Sequence, residues 1–103
     1  MIKSNSFKDY ILEQMREISG VRARGMFDSF GLYLEDKFFG IIHDSSLYFK
    51  TDIISREKYI NLGMEPFRPS EKQILKNYLE VPPQIIEEPE KLKKWVFEAT
   101  NLE

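Results

Sequence analysis

Apolar residues recur at two different periods along this chain, and the switches between them mark out its elements. Phe7, Tyr10, Ile11, Met15 and Ile18 repeat at intervals of three and four, the spacing that gathers side chains into one stripe of a helix. A first helix over residues 7–18 follows, with Ser6 as its N-cap and Asp9 as a weaker capping-box acid. Gly20 ends it, as a residue in left-handed conformation commonly does. The stripe is assigned to the core.

From Val21 the period becomes two. Val21, Ala23, Gly25 and Phe27 fall on one face of a strand, and Arg22, Arg24 and Met26 on the other. Residues 30–34 read as a second strand, followed by a polar turn at Glu35-Asp36-Lys37. Residues 38–43 form a third, apolar on both faces, which predicts an interior strand covered on both sides over part of its length. Asp44-Ser45 is a tight turn, and residues 46–50 give a fourth strand with Leu47 and Phe49 on one face. Turns this short allow only an antiparallel meander, because a parallel crossover needs about a dozen residues.

The second half mixes both periods. A helix over 56–62 is expected, capped by Ser55, stapled by Ile54 against Tyr59 and ended by Gly63. Residues 64–69 hold two prolines and read as an irregular or edge strand. Residues 74–81 make a better strand, with Leu75, Leu79 and Val81 facing one way and Lys76, Tyr78 and Glu80 the other. Pro82-Pro83 breaks it, residues 84–88 suit a helical turn, and Pro89 fits the first position of a final helix. There Leu92, Trp95, Val96 and Ala99 share a face, so Trp95 is expected to anchor the core. The fold class is α+β: a twisted antiparallel sheet of five or six strands, flanked by an N-terminal, a mid-chain and a C-terminal helix.

Composition narrows the function. The 103 residues suit one domain, and a 42% apolar, 14% aromatic content suits an ordered core. There is no cysteine, which removes disulfides, zinc–thiolate sites and a thiol nucleophile. No stretch approaches the 18 or so apolar residues of a membrane span, and the N-terminus has no signal-like apolar region; a soluble cytoplasmic protein is expected. Fifteen Lys and Arg stand against seventeen Asp and Glu, a net charge of −2. Residues 1–60 carry nine of each sign, so the acidic excess lies beyond them. Direct nucleic-acid binding normally leaves a basic footprint, and composition shows none.

Candidate chemistry is sparse. His43 is the sole histidine and precedes Asp44, but neighbours on a strand point to opposite faces, so the pair is not a catalytic dyad. Arg22 and Arg24 share a strand face about 7 Å apart. Either carboxylates of Glu17, Glu35 or Glu80 pair with them internally, or an anion or partner lies between them. Gly31 and Gly40 are lone strand glycines, expected at bulges or under an aromatic ring. Phe27, Phe30, Tyr33, Phe38, Phe39, Tyr48, Phe49, Phe67 and Tyr78 suggest a stacking platform, but such platforms come with a basic groove. Core packing plus a self-association patch accounts for them better. No cofactor and no metal is expected.

Four ordered blocks carry a resemblance. The stretch Arg22-Ala-Arg-Gly-Met-Phe-Asp-Ser-Phe-Gly-Leu-Tyr33 resembles the Arg-x-Met-Phe-Gly-Gly-x-Gly-Leu/Ile-Tyr signature of the N-terminal domain of the TfoX/Sxy competence regulators. Residues 38–52, ending in Leu-Tyr-Phe-Lys-Thr-Asp, are similar to that family's aromatic hairpin. Leu62-Gly-Met-Glu-Pro-Phe67 resembles its Gly-x-x-Pro-Phe turn, and Tyr78-Leu-Glu-Val-Pro82 precedes an acidic, Pro-led helix with a Trp, as there. Asp28-Ser29 replace the family's paired glycines; their side chains can still support a turn. The resemblance implies a role near transcription control, exercised in that family with a cyclic-AMP receptor-type activator. It also implies a stand-alone copy of the first of two domains, since full-length members add a helical one.

The leading expectation is therefore a non-catalytic regulatory or protein-interaction domain, with a protein partner such as a transcription factor, or with a second copy in a homodimer. Arg22, Arg24, Met26 and Tyr33 are the candidate partner or anion contacts. A small-ligand or anion-binding module using an Arg/Tyr sheet face is the first alternative, and direct nucleic-acid binding the second. No membrane association is expected.

Overall fold

A computed structural model describes residues 2–101, with side chains from Ser6 onward. Its elements run α1 (Ile2–Gln14), β1 (Val21–Met26), β2 (Ser29–Leu34), β3 (Lys37–His43), β4 (Ser46–Lys50), α2 (Arg56–Asn61), β5 (Pro66–Ser70), β6 (Gln73–Glu80), α3 (Pro83–Ile86) and α4 (Pro89–Thr100). The six strands form one sheet in the order β1-β2-β3-β4-β6-β5, every pair antiparallel. The α+β class forms as read from the periodicity, with the four-strand meander as β1–β4, and β6 then inserts between β4 and β5.

The first helix begins earlier than its apolar stripe. Residues 2–5 hold neither Gly nor Pro, so nothing interrupts helical backbone there, and Ser6 lies inside α1 and not at its cap. The regular helix ends at Gln14. Tighter i→i+3 bonds, Arg16 N–H to Glu13 C=O at 3.2 Å and Ile18 N–H to Met15 C=O at 2.9 Å, then carry Met15 and Ile18 onto the core. Gly20 turns the chain at φ +91°.

Capping of α2 also departs from expectation. Ser55 makes no cap bond to the helix. Instead the Asp52 carboxylate accepts the Ser55 N–H at 2.8 Å while the Asp52 N–H donates to Ser55 Oγ at 2.9 Å. That reciprocal pair is a capping box built one turn earlier, on Asp52. Those N–H bonds, Ser55 first, hold the Asp52 carboxyl below its usual pKa. Ile54 is exposed while Tyr59 is buried, so the proposed staple does not form. Gly63 behaves as predicted: at φ +82° it donates to Ile60 C=O, and Met64 N–H reaches Tyr59 C=O, the bond pair of a Schellman ending.

One sheet face packs against the helices. Ile11, Met15, Leu32, Phe39, Ile42, Leu47, Phe49, Leu79, Val81, Leu92 and Val96 are buried there in one cluster with Tyr59. Gln14 Nε2 donates to Ile86 C=O at 2.9 Å, tying α1 to α3. Leu92, Val96 and Ala99 of α4 are buried as predicted, whereas Trp95 is only partly buried, at the margin of this core. Its ring meets Tyr59 edge-on at 4.8 Å, and Lys58 Nζ, paired with Glu98, lies 4.8 Å from its centroid. Trp95 thus clamps α4 to α2 from the rim.

Two irregularities shape the opposite face. In β2–β3 the register changes between Leu32↔Gly40 and Tyr33↔Phe38, leaving Phe39 as an extra residue. This bulge sends Phe39 and Ile42 to the core and Phe38 and Ile41 to the outer face, which explains why β3 is apolar on both sides. In β5–β6 the register jumps from Pro66↔Leu79 to Phe67↔Leu75. Three residues of β6 go unmatched there, and the hairpin bends over the outer face.

Candidate functional site

The outer face carries three cross-strand rows. Register places Arg22, Tyr33 and Phe38 in line, with Lys50 opposite Tyr78 farther along; Arg24, Gly31, Ile41, Tyr48 and Glu80 form a second row, and Met26, Ser29, His43 and Ser46 a third. Among the described residues no helix covers the middle of these rows. Rings cover them instead: Tyr33 to Phe38 at 5.2 Å, Phe38 to Tyr78 at 5.9 Å, Tyr48 to Phe67 at 4.7 Å and His43 to Phe67 at 5.3 Å. These tilted contacts at 4.5–7 Å are the geometry that aromatic pairs prefer. Phe67 comes from the far edge of the sheet, and its reach to His43 on β3 shows how strongly the bent hairpin leans inward.

Between the bent hairpin and the β1–β2 turn lies a cavity of about 500 Å³. Phe38, Ile41, Phe67, Leu75 and Tyr78 make most of its apolar wall, with Met26 and Phe27 on the β1–β2 side. Leu75 and Tyr78 both line it, so the prediction that they face opposite ways is overturned: the unmatched stretch of β6 between them breaks the two-residue alternation. Burial pushes the Tyr78 hydroxyl above its usual pKa. Burial does the same for Tyr48, reinforced by the Glu80 and Asp44 carboxylates against a hydrogen bond from Ser46. Both phenols are neutral at physiological pH and can donate hydrogen bonds.

Gly31 permits this packing. A Cβ there would lie 2.8 Å from Phe38 Cε1 and 3.3 Å from Met26 Sδ, so the ring and thioether rest directly on its backbone. The expectation of a strand glycine under an aromatic ring is met.

Phe27 occupies the lip. The predicted turn at Asp28-Ser29 forms one residue earlier, because Met26 pairs with Ser29 and leaves Phe27-Asp28 as the loop. Phe27 therefore does not continue the inward face of β1; it is fully exposed (111%) with φ +52°. A bulky residue in the left-handed region is a backbone outlier, costing of order 1–3 kcal/mol.

A polar group closes one end of the cavity. Ser29 Oγ and His43 Nδ1 are 2.7 Å apart as cross-strand neighbours. The carboxylates of Asp28 and Asp44 lie 3.9 Å from Nδ1 and 3.8 Å from Nε2. Asp44 approaches because it sits in the turn at φ +55° and not on the strand. Neither carboxylate is within hydrogen-bond reach, and both are exposed (83% and 87%). The imidazole lacks the orienting buried acid that makes a serine–histidine pair a nucleophilic site. Among the described residues, no three His, Asp or Glu side chains are placed to hold a metal ion.

The four residues singled out from sequence divide between two places. Met26 lines the cavity, and Tyr33 belongs to the ring row. Arg22 donates to the Glu35 backbone C=O at 2.8 Å, with its guanidinium 5.9 Å from the Tyr33 ring centre. Arg24 is exposed and makes no hydrogen bond or ion pair among the described residues. Neither arginine pairs with the carboxylates of Glu17, Glu35 or Glu80, so the expected internal ion pairs are not formed. Neither lines the cavity. Sequence reasoning missed Phe38, Ile41, His43, Phe67, Leu75 and Tyr78 as one surface; the two-faced apolarity of β3 was the available signal.

No helix among the described residues is long and apolar enough to cross a membrane. Comparison with curated proteins gives no match. The sequence profile described as "TfoX N-terminal domain" matches residues 13–101, a span that holds all six strands and the aromatic face. That family is regulatory in type, known in competence regulation, and is not a known enzyme family. On this match, the chain belongs to the TfoX N-terminal domain family.

Proposed function

We propose that this domain is a non-catalytic, protein-binding regulator whose contact surface is the outer face of the sheet. One observation carries the reading: Phe27 stands fully exposed in a strained turn, on the lip of an apolar cavity of about 500 Å³. A strained, solvent-exposed aromatic costs stability in the free protein and is accounted for by a bound state that covers it. A protruding ring beside a recess is also the anatomy of an interface hot spot. The family match supports a setting near transcription control in the cytoplasm, with a transcription factor as the partner class. Net charge −2 supports contact with the partner protein and not with nucleic acid.

The cavity volume also suits a small molecule, which is the second reading. Its chemistry differs from the Arg/Tyr anion site expected from sequence. The wall is apolar, and its polar end offers Ser29, His43 and the Asp28 carboxylate, so the ligand would be uncharged or cationic and largely hydrophobic.

Photo-crosslinking tests both. Replacing Phe27 by benzoylphenylalanine in the native host should yield one reproducible protein adduct. Absence of any protein adduct, with a small molecule retained in native mass spectrometry, would replace the first reading by the second.

A further inference from the structure

The two edges of the sheet differ in how they are protected. On β5, Pro66 and Pro69 remove backbone donors and two register shifts break the strand, devices that block edge-to-edge pairing. On β1, residues 21–26 hold no proline and pair with β2 without a break. No other strand among the described residues pairs with β1. Gly25, which has only backbone to expose, is itself exposed, so that stretch of the edge is open.

Hydrogen-bond alternation shows which groups are on offer. Glu35 N–H donates to Gly20 C=O, and the two-residue loop makes Met26 and Ser29 a bonded pair. The even-numbered residues between them therefore face β2, and the N–H and C=O groups of Val21, Ala23 and Gly25 point outward. The side chains of Arg22 and Arg24 project from the outer face beside that row.

We propose that β1 is a docking edge for an extended segment of a partner protein, one bearing carboxylates at alternate positions that meet Arg22 and Arg24. Backbone bonds to Val21, Ala23 and Gly25 would supply strand addition, and the guanidiniums would supply choice of sequence. Among the described residues Arg24 has all its donors available, and Arg22 keeps those not used on Glu35 C=O. A carboxylate between them also relieves the repulsion of two like charges about 7 Å apart.

Charge argues against a second copy as the occupant. An antiparallel β1–β1 pair that keeps both sheets facing the same way must match even residues with even residues. Its central registers then set Arg22 against Arg24, or Arg24 against Arg24, of the other copy, and like charges directly opposite destabilise a strand pair. An acidic strand meets no such clash. This edge is distinct from the cavity, so the proposal does not rest on the role given to Phe27.

The test uses two blocked hexapeptides, one alternating valine with glutamate and one alternating valine with lysine, followed by amide NMR of the labelled protein. The glutamate peptide should shift Val21, Ala23 and Gly25 and bind at least about tenfold more tightly than the lysine peptide. The double variant R22E/R24E, changed only at exposed side chains, should reverse that preference. Ala23→Pro removes an outward N–H and should abolish binding of both peptides while leaving the spectrum of the sheet intact. Equal affinity for the two peptides would overturn the proposal. So would an unreversed preference in R22E/R24E, or shifts confined to Phe38 and Tyr78.

Discussion

Adding a single methyl group at Gly40 should damage the fold more than any other Gly→Ala change on a strand. A Cβ there would lie 2.8 Å from the Tyr48 backbone oxygen, 3.1 Å from Phe49 Cδ1 and 3.4 Å from Leu32 Cδ1. The first contact is with main chain in the paired strand β4, so a side-chain rotation cannot relieve it. Phe49 and Leu32 are themselves fully buried (0%), which leaves the cluster no free volume. Overpacking of this kind costs about 1–3 kcal/mol, occasionally more. The backbone contact puts Gly40→Ala near about 3 kcal/mol, a fall in Tm of about 12–24 °C for a domain of this size. Gly25→Ala is the control, because its new Cβ meets nothing within 4 Å and its φ is not positive. It should stabilise by about 0.4–1 kcal/mol through loss of unfolded-state freedom. Urea unfolding followed by Trp95 fluorescence measures both, with unchanged m-values showing that midpoints report stability. A Gly40→Ala midpoint within about 1 kcal/mol of wild type would refute the close approach of β3 and β4.

Trp95→Ala should cost about 2–4 kcal/mol, below the cost of removing a fully buried ring because this one lies at the core margin; thermal melting by circular dichroism checks it, and a loss under about 1 kcal/mol would mean α4 is held without the clamp. Phe27→Gly should raise stability by up to about 1 kcal/mol by relieving the positive φ, while weakening partner binding; a destabilised variant would show that the turn is unstrained. Burial raises the folded-state pKa of Tyr59, Tyr48 and Tyr78 above the phenol value. Their contribution is therefore complete below pH ~10 and lost as pH climbs from there through the folded values, so stability should fall steeply in that alkaline range, and a flat profile to about pH 12 would contradict the burial. Fluorescence anisotropy with duplex and single-stranded oligonucleotides at about 150 mM salt should stay flat, and micromolar binding with a steep salt slope would show a basic surface that net charge conceals.

What could be read from sequence followed from local chemistry. The hairpins of β1–β2–β3–β4, the Gly63 ending of α2 and the Pro89 start of α4 each depend on residues within a few positions of one another. The outer face does not. It depends on an extra residue at Phe39 and on unmatched residues in β6, and strand alternation alone cannot locate a bulge. Alternation therefore puts Leu75 and Tyr78 on opposite faces and gives no sign that His43 meets Ser29. Phe27 escapes alternation for a related reason: its position in the loop is set by which residues pair, Met26 with Ser29, and an alternating pattern runs through a two-residue turn without marking it. Alternation does put Arg22 and Arg24 on their shared face, yet their lack of carboxylate partners among the described residues depends on side-chain positions across the sheet.

The central claim, that the outer sheet face binds a partner protein, is tested most directly by two matched substitutions. Phe27 and Ile54 are both large, apolar and exposed (111% and 82%), but Phe27 stands at the cavity lip and Ile54 in the turn before α2. Phe27→Asp and Ile54→Asp should each leave the fold intact. Titration calorimetry with the partner recovered by crosslinking should show Phe27→Asp binding at least about tenfold more weakly, a hot-spot loss, and Ile54→Asp binding as wild type does. Loss of binding in Ile54→Asp with Phe27→Asp unaffected would place the interface on the other exposed patch and contradict the account.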